Sequence, residues 1–346
     1  MKIVALFAVW VGATVTAYAD DSTSQTTTQP SPLVGVALLH QEAEAVRPLL
    51  RSDLAKTFLG ATPRLPKIAP RTLYRDPTTR KYYSKSGMGR LSKEQRNALV
   101  PVEIGESVYY TTKYGTPLAF ARPLDLIGES GLKSLSGKRV LDFGYGTVGQ
   151  LRLMANLGAD VVGVDVDPFL RELYSEPSDQ GVVKNPEGRD GRITLVHGRW
   201  PAERDAKEAV KGGFDLIISK NTLKNGYLHP AQPVDKRMLI QLGVEDSDFV
   251  KALYAALAPG GKVMIYNISP APSPPGKPYK PWSDGRCPFP TSLWESVGFR
   301  IIVFDRDDSD AVRKMAHALG WDRGKQAMDL EKDLFAQYTL VERPTR

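Results

Sequence analysis

An α/β fold is predicted for residues 136–346, and two observations predict it. Short apolar runs alternate there with amphipathic segments, which is typical of a mostly parallel sheet with helices on both faces. A glycine-rich turn also follows the first apolar run, at residues 144–149. Residues 36–135 lack this alternation, and we expect them to form a mainly helical or irregular N-terminal extension. With 42% hydrophobic and 25% charged residues, the 346-residue chain can bury a sizeable core.

The first residues have the pattern of an export signal. Lys2 precedes an apolar run at residues 3–15, and Ala-Tyr-Ala at residues 17–19 is the small-x-small pattern that signal peptidases recognise. We predict a signal peptide over residues 1–19, with an uncleaved membrane anchor as the alternative, because a spanning helix needs about 20 apolar residues. Residues 20–35 are predicted to be a disordered linker. The mature chain would then be periplasmic, secreted or lumenal, without a membrane span.

Residues 36–135 are basic. Lys and Arg outnumber Asp and Glu by 16 to 9 over residues 31–135, against 29 to 28 over residues 136–346. Apolar residues at 36–58 have helical spacing, and Pro48 is expected to end or kink that helix. Residues 60–105 show no clear periodicity. We expect residues 36–135 to form a cap for substrate recognition or a docking surface for an anionic acceptor; the alternative is a solvated surface with no such partner.

Seven strands are predicted after residue 136, each a short apolar run bounded by turn residues. They begin at or near Val140, Val161, Ile193, Leu216, Val263, Phe299 and Phe335. The segments between several of them predict helices. One covers residues 149–156, one begins at Pro201, and two are expected to be capped by Ser247 and Ser309.

The turn after the first strand predicts a nucleotide-binding site. Residues 144–149 read Gly-Tyr-Gly-Thr-Val-Gly, a pattern whose glycines allow a tight turn and close approach of a ligand. Asp165 ends the second strand, 16 residues after Gly149, where its carboxylate can accept hydrogen bonds from a ribose diol. NAD, FAD and S-adenosylmethionine would all suit such a site.

Asp142 indicates which of these cofactors the site prefers. It lies two residues before the first glycine of the turn. A carboxylate there suits a ligand with a free ammonium group and a sulfonium charge, whereas a pyrophosphate would bring two further negative charges beside it. Asp142 therefore favours S-adenosylmethionine over NAD.

Four motifs together resemble those of class I S-adenosylmethionine-dependent methyltransferases. They are the acidic-x-Gly-x-Gly loop at residues 142–146, the second-strand motif at 162–168, the fourth strand at 214–219, and the Leu-Ala-Pro-Gly-Gly turn at 257–261. The resemblance covers about residues 138–270. It implies a Rossmann-like sheet of seven strands with the last one antiparallel, S-adenosylmethionine as cofactor, and methyl transfer to an acceptor that the sequence does not identify.

The resemblance also implies roles for single residues. Gly144, Gly146 and Gly149 of the turn would flank the methionine part of the cofactor, and Tyr145 of the same turn would also bind the cofactor. Asp142 would face its amino end, Asp165 would bind the ribose, Val166 would line the adenine pocket, and Ser219 would lie near the methionine end. Tyr114 belongs to a segment, residues 114–116, that we expect to close over the cofactor.

The sequence departs from the family after the third strand. The family often has Gly-Asp there, and the carboxylate contacts the adenine amino group. Residues 197–200 here read His-Gly-Arg-Trp, and Arg199 has no acceptor atom in its side chain. Trp200 is expected either to stack on the adenine or to pack in the core.

Catalytic residues are harder to predict, because in-line methyl transfer depends mainly on positioning. A general base is needed only if the nucleophile arrives protonated. In the loop after the fourth strand, Lys220, Tyr227 and His229 are candidates to orient or deprotonate an acceptor. Trp282 and Arg286, in the proline-rich segment 269–290, are candidate acceptor contacts. The four His residues and the single cysteine, Cys287, have no metal-ligand spacing, so no metal site is expected.

Export leaves two alternatives to an active methyltransferase. S-adenosylmethionine is made in the cytosol, so an exported chain could be a non-catalytic binding protein on a methyltransferase scaffold. A NAD-dependent oxidoreductase is the other alternative, which Asp142 and the Leu-Ala-Pro-Gly-Gly turn disfavour. Fold does not determine function, so the reaction and the acceptor are separate questions.

Overall fold

A computed structural model describes residues 34–324 and 327–345. The predicted signal peptide and nearly all of the predicted linker lie outside the described residues. Eleven strands are described: β1 Arg71–Arg75, β2 Tyr82–Tyr83, β3 Val100–Ile104, β4 Arg139–Phe143, β5 Asp160–Asp165, β6 Gly181–Val183, β7 Gly191–His197, β8 Phe214–Lys220, β9 Leu257–Ser269, β10 Arg300–Asp307 and β11 Phe335–Glu342.

The described residues also form thirteen α-helices and several short 3₁₀ turns. The helices are α1 Gly35–Val46, α2 Asp53–Gly60, α3 Lys93–Asn97, α4 Glu106–Thr111, α5 Ala121–Glu129, α6 Gly149–Ala155, α7 Pro168–Leu173, α8 Arg204–Val210, α9 Asn225–Leu228, α10 Asp246–Ala256, α11 Thr291–Val297, α12 Ser309–Ala318 and α13 Leu330–Asp333. Among the helices that the structure describes, none is long and apolar enough to cross a membrane.

The main sheet confirms the predicted α/β fold. Its eight strands lie in the order β10–β11–β9–β8–β4–β5–β7–β6. The five strands from β9 to β7 in this order, β9, β8, β4, β5 and β7, run parallel, and β11 is antiparallel to both of its neighbours. All seven predicted strands are present, with the last one antiparallel. The eighth strand, β6, is a three-residue edge strand antiparallel to β7.

Both faces of the main sheet are buried, which explains the apolar runs in the sequence. Successive residues of a strand point to opposite faces. Val140 accordingly lies in one hydrophobic cluster and Leu141 in the other, and both are fully buried. A parallel strand covered on both faces reads as a continuous apolar run rather than as an alternation. Helices α6 and α12 cover one face, and α8, α10 and α11 cover the other.

The N-terminal extension differs from the prediction, because it contains a small sheet as well as helices. Strands β2, β1 and β3 form an antiparallel sheet in that order. Only Leu73 and Ile104 of these strands are buried. So few buried positions leave no periodic pattern, which is why the sequence did not reveal the strands. The predicted helix at 36–58 is broken at residues 47–49, around Pro48, into α1 and α2.

The extension shares its core with the main sheet. Leu39 of α1, Phe58 of α2 and Leu124 of α5 belong to the same buried cluster as Val140 of β4 and Met264 of β9. The boundary that we predicted at residues 135–136 is therefore not a gap in packing. The extension forms a layer on one face of the sheet.

Buried charges join the two parts as well. The guanidinium of Arg122, on α5, donates to the carboxylates of Asp125 and Asp308, and all its distances to them are 2.7–2.9 Å. The Tyr266 hydroxyl on β9 donates to Asp308 at 2.8 Å. Asp125 in turn accepts hydrogen bonds from the backbone N–H groups of residues 51 and 52. Charges so far from water are tolerated because each has several partners.

Three helix starts differ from the predictions. Helix α8 begins at Arg204 rather than Pro201, and α10 begins at Asp246, before Ser247. Ser309 is the first residue of α12 and not its cap. Its hydroxyl donates to Asp307 at 2.5 Å and accepts from the N–H of Ala336 on β11 at 3.1 Å. The Ser309 hydroxyl therefore links α12 to β11 and does not cap the helix.

Candidate cofactor and acceptor site

The glycine turn connects β4 to α6 and is packed too closely for side chains. Gly144 has φ +76°, and a Cβ atom placed there would lie 2.2 Å from Oγ1 of Thr222. Gly146 has φ +60°, and its Cβ would lie 2.8 Å from Cβ of Tyr114. Glycine at these positions permits both the left-handed backbone and the close approach of two other segments.

Asp165 lies at the end of β5 and faces this turn. Its Oδ2 accepts a hydrogen bond from the N–H of Gly146 at 3.1 Å, and Oδ1 accepts one from the N–H of Asp167 at 2.9 Å. Burial raises the pKa of Asp165, and the backbone donors oppose that rise. Each carboxylate oxygen has a second lone pair. Asp165 can therefore hold the turn and still accept from a diol.

Asp142 is fully buried at the end of β4 and has one unused oxygen. Its Oδ2 accepts from Nε2 of Gln150 at 2.8 Å. Oδ1 has no hydrogen-bond partner within the described part of the chain. Burial raises the pKa of Asp142 to about 7, although Gln150 and the charge of Lys220 oppose the rise. A buried carboxylate oxygen without a donor is costly, and the ammonium group of S-adenosylmethionine fits this need.

Residues 110–114 lie across the glycine turn. The Thr112 hydroxyl donates to the carbonyl of Gly146 at 2.8 Å, and the Thr147 hydroxyl donates to the carbonyl of Tyr110 at 2.6 Å. The Tyr114 hydroxyl donates to Oδ2 of Asp167 at 2.7 Å. Tyr114 thus packs across the glycine turn, and its closure over the cofactor stays a prediction.

Asp167, which the sequence analysis did not select as a site residue, contacts both Tyr114 and Lys113. The Nζ atom of Lys113 lies 2.7 Å from Oδ2 of Asp167, and Oδ1 of Asp167 caps α7 by accepting from the N–H of Phe169. The sequence did contain a sign of this role, since Asp167 directly precedes Pro168, as an N-cap residue does.

Val166 lies between the carboxylates of Asp165 and Asp167 and is 55% exposed, which suits an apolar wall for adenine.

Two other predicted cofactor residues lie in the core. Trp200 is only 3% exposed, and its ring packs edge-on against Phe143 and Phe249, with centroids 6.2 and 5.9 Å away. Of the two roles expected for Trp200, the structure fits core packing and not adenine stacking. The Tyr145 side chain is also buried, beside Tyr174, so only its backbone can face a ligand. Both rings therefore serve the packing of the core.

Strand β8 places Ser219 and Lys220 beside Asp142. Ser219 is fully buried, and its hydroxyl accepts from the N–H of Leu223 at 3.4 Å. Lys220 is half-buried, with Nζ 5.4 Å from the centroid of the Phe120 ring. Burial lowers the pKa of Lys220 to about 8, and the charge of Asp142 opposes that change. No hydrogen bond or ion pair of Lys220 Nζ is found among the described residues.

Lys224 is a site residue that the sequence did not single out. Its Nζ donates to the carbonyl of Ile268 at 2.5 Å and to that of Trp282 at 3.4 Å. Burial and the neighbouring charge of Lys220 lower the pKa of Lys224 to about 7. These contacts hold the end of β9 and the proline-rich segment against the loop after β8.

The remaining acceptor candidates lie in and around that loop. The Tyr227 ring lies 5.7 Å from Lys224 Nζ, and burial raises the pKa of Tyr227 to about 12. His229 forms an ion pair or hydrogen bond with Asp246 at 2.8 Å on the surface. Arg286 is exposed and paired with Asp284 at 2.7 Å. Trp282 is half-buried, and its Nε1 has no partner in the described chain.

The proline-rich segment is held firmly to the loop after β8. Asn267 donates to the carbonyls of Leu223 and Gly285 at 2.7 and 2.9 Å, and Asn225 donates to Asp284 at 2.7 Å. A Cβ atom at Gly226 would lie 1.9 Å from the carbonyl oxygen of Pro281. The two segments therefore form one wall beside Lys220.

The chain is similar to a few known proteins over part of its length. No protein-family model matches it. The mitochondrial ubiquinone biosynthesis O-methyltransferase of Schizosaccharomyces pombe, a curated relative, is 27% identical over 134 residues. That match covers 39% of this chain and 39% of the relative, so the chain spans well under half of that protein's length.

Similar solved structures have low sequence identity. Phosphoethanolamine N-methyltransferase 2 of Haemonchus contortus in complex with S-adenosyl-L-methionine is 13% identical, with a TM-score of 0.38 over 84% of this chain and 74% of that one. An arsenic(III) S-adenosylmethionine methyltransferase of Chlamydomonas reinhardtii is 17% identical, with a TM-score of 0.32 over 61% and 64%. The [4+2]-cyclase SpnF is 14% identical, with a TM-score of 0.37 over 91% and 98%.

Proposed function

We propose that this chain, which has the fold of S-adenosylmethionine-dependent methyltransferases, transfers a methyl group from S-adenosylmethionine to an acceptor still to be identified. The observation that carries the proposal is the buried Oδ1 atom of Asp142, which has no donor in the described chain. It lies beside the glycine turn between β4 and α6, whose Gly144 and Gly146 have a left-handed backbone. A cationic amino end supplies the missing donor, whereas a pyrophosphate would add negative charge there.

The proposed cofactor contacts follow the edge of the sheet. Asp142 would bind the ammonium group, Gly144, Gly146 and Gly149 would bring the backbone close to the methionine part, and Asp165 would accept from the ribose. Val166 and Tyr114 would enclose the adenine. Bound there, S-adenosylmethionine supplies an electrophilic methyl group on a sulfonium centre. The chain's own contribution is to position the acceptor in line with it.

Lys220 is the side chain that we assign to the acceptor. Its Nζ has no partner in the described chain, unlike His229 and Arg286, which are held in exposed pairs. With a pKa of about 8, a fraction of Lys220 is neutral near pH 8 and can accept a proton from an acceptor hydroxyl or amine at Nζ. Tyr227 and Trp282 would form the neighbouring wall.

We further propose that the chain is exported through residues 1–19. The sequence pattern of residues 1–19 supports this proposal. The mature protein would then consist of the linker, residues 20–35, followed by the N-terminal extension and the main sheet. If export is correct, N-terminal sequencing of the protein recovered from its host gives Asp20 as the first residue. A chain that retains Met1 in a soluble cytosolic fraction would contradict it.

Titration calorimetry tests the cofactor. We expect S-adenosylmethionine to bind the full chain with micromolar affinity, and Asp165→Ala to weaken binding by roughly 10–100-fold, since about two hydrogen bonds to a carboxylate are lost. Asp205→Ala, an exposed acid on α8, is the matched control and should leave the affinity unchanged. Tighter binding of NADH than of S-adenosylmethionine would favour the oxidoreductase instead.

Turnover separates an enzyme from a binding protein. The full chain, given methyl-labelled cofactor and an extract of its host, should label an acceptor, and Asp165→Ala should not. Cofactor binding without any labelled product would favour the non-catalytic alternative. No cofactor binding by a folded chain would remove methyl transfer as the working function.

A further inference from the structure

Positive charge is concentrated on the small sheet of the N-terminal extension. Residues 75–100 contain seven Lys and Arg but only two Asp and Glu, a net charge of +5, in a chain whose total is +7. None of these residues belongs to the candidate cofactor site. The concentration therefore needs its own explanation.

The topology brings four of these basic residues to one end of the sheet. Strands β1 and β2 are joined by the turn 76–81, which carries Arg80 and Lys81. Arg75, the last residue of β1, pairs with Tyr82 on one side and with Val100, the first residue of β3, on the other. Helix α3, which leads into β3, carries Lys93 and Arg96. We name Arg80, Lys81, Lys93 and Arg96 the basic tip.

The basic tip is exposed and keeps a net positive charge. All four side chains are exposed, and no ion pair found among the described residues includes any of them. Hydrogen bonds lower the pKa of both nearby acids, Asp76 and Glu94, so both are ionised. Four basic and two acidic residues leave a net charge of +2, and a cluster with net positive charge attracts an anionic surface.

Two other basic residues of the N-terminal extension behave differently. Arg71 is largely buried and pairs with Asp179 at 2.8 Å, and Arg90 pairs with Glu172. These two residues fasten the small sheet to the rest of the protein. The contrast indicates that the tip residues are not needed for packing.

The occupied ring of Tyr82 and the exposed Val100 favour a bilayer over a nucleic acid. Single-stranded nucleic acids need ring faces on which bases can stack. The Tyr82 ring, however, has Phe169 edge-on at 5.1 Å and the Arg75 guanidinium 5.9 Å from its centroid. Val100, at the same end, is 51% exposed. An aliphatic side chain among lysines and arginines suits the headgroup region of an anionic membrane.

We propose that the basic tip binds the headgroups of an anionic lipid bilayer. The tip is attached rigidly, because Glu172 of α7 accepts from both the N–H and the hydroxyl of Ser84, just after β2. Helix α7 begins directly after Asp167, at the edge of the cofactor site. Docking through the tip holds that edge in a defined orientation to the bilayer. The proposal does not depend on methyl transfer.

Vesicle flotation of the full chain tests the proposal. Phosphatidylglycerol–phosphatidylcholine vesicles are compared with vesicles of phosphatidylcholine alone, which report any insertion of the apolar N-terminal residues. The tip variant combines Arg80→Asn, Lys81→Gln, Lys93→Gln and Arg96→Gln. The matched control neutralises four exposed, unpaired lysines elsewhere in the described chain: Lys133→Gln, Lys207→Gln, Lys236→Gln and Lys277→Gln. Both variants remove the same net charge.

We expect binding to the anionic vesicles that weakens at high salt. The tip variant should bind at least about 100-fold more weakly, because each basic residue near an anionic surface contributes to affinity, and the control should bind as the unmodified chain does. Equal loss in both variants, or no preference for anionic vesicles, overturns the proposal. So does binding to single-stranded RNA with no binding to vesicles. Unchanged thermal unfolding shows that the tip variant is folded.

Discussion

At the scale of the residue, Asp142 is subject to two opposing requirements. Its carboxylate is fully buried and only half satisfied, so the ionised form destabilises the chain without a ligand. The same ionised form is what an ammonium group would bind. A burial-raised pKa in a carboxylate beside a glycine turn at a strand end is more typical of a functional site than of a structural one.

The pH dependence of Asp142 follows from its pKa of about 7. Because the folded-state pKa lies above that of the unfolded chain, the folded state binds the proton more tightly. This carboxyl therefore makes the free energy of unfolding fall as pH rises from about 4 to beyond 7. Cofactor affinity should change in the opposite direction, rising with pH through the same range as the carboxylate ionises.

We predict that Asp142→Asn separates stability from binding. At pH 8 the variant without cofactor should have a Tm equal to or a few degrees above that of the unmodified chain, since a buried charge is removed while Gln150 keeps an acceptor. Its S-adenosylmethionine affinity should fall at least tenfold and lose its pH dependence between 6 and 8. Calorimetry and thermal unfolding measure both. A variant that loses stability and affinity together would make Asp142 a structural residue.

At the scale of the element, the turn between β4 and α6 is defined by what packs on it. Gly144 faces Thr222 of the loop after β8, and Gly146 faces Tyr114. The turn therefore joins the strand that precedes it to two segments that are distant in sequence. A positive φ by itself would also allow Asn or Asp at these positions. The contacts with Thr222 and Tyr114 exclude any residue that has a Cβ atom.

We predict that Gly144→Ala destabilises the protein more than Gly213→Ala. Both glycines have nearly the same φ, +76° and +80°, but only Gly144 has an atom in the way, since nothing lies within 4 Å of a Cβ at Gly213. Gly213→Ala should cost about 1 kcal/mol from backbone strain. Gly144→Ala should lose about 2–4 kcal/mol because overpacking adds to the strain.

Urea unfolding gives these values, and calorimetry should show weaker cofactor binding for Gly144→Ala alone. Equal destabilisation of the two variants would mean that Thr222 moves aside without penalty. The close approach at Gly144 would then have no energetic importance.

At the scale of the whole molecule, the extension and the main sheet form one packed unit. They share one hydrophobic cluster, and the Arg122 network connects α5, β9 and the start of α12. Arg122 lies between two buried carboxylates, so its loss would leave both without a cation. Removal of one partner from a buried ion pair is far more harmful than loss of an exposed pair.

We predict that Arg122→Leu lowers the free energy of unfolding by about 3–5 kcal/mol. Arg204→Leu, which breaks an exposed pair with Glu208 on α8, should change it by less than about 1 kcal/mol. Urea unfolding followed by far-ultraviolet and near-ultraviolet circular dichroism checks both. Because the core is shared, the two signals should change in a single transition; separate transitions would show that the extension folds independently.

Local patterns in the sequence were sufficient for the frame of the protein. Strand positions follow from apolar runs buried on both faces, and the turn between β4 and α6 follows from its glycines. These signals lie within a few residues of one another, so one sequence reveals them. The same reasoning singled out Asp142 and Asp165, because they are the second-last and the last residue of their strands; their roles toward a cofactor stay predictions.

What only the tertiary structure decided depends on contacts between distant segments. Tyr114 reaches Asp167 across 53 residues, and Lys224 reaches the carbonyl of Ile268 across 44. Trp200 belongs to the core because Phe249, 49 residues away in the sequence, packs on it. The basic tip likewise exists because β3 returns to pair with β1. No local pattern encodes such pairs, since the free energy that selects them comes from burial and hydrogen bonding in the complete fold.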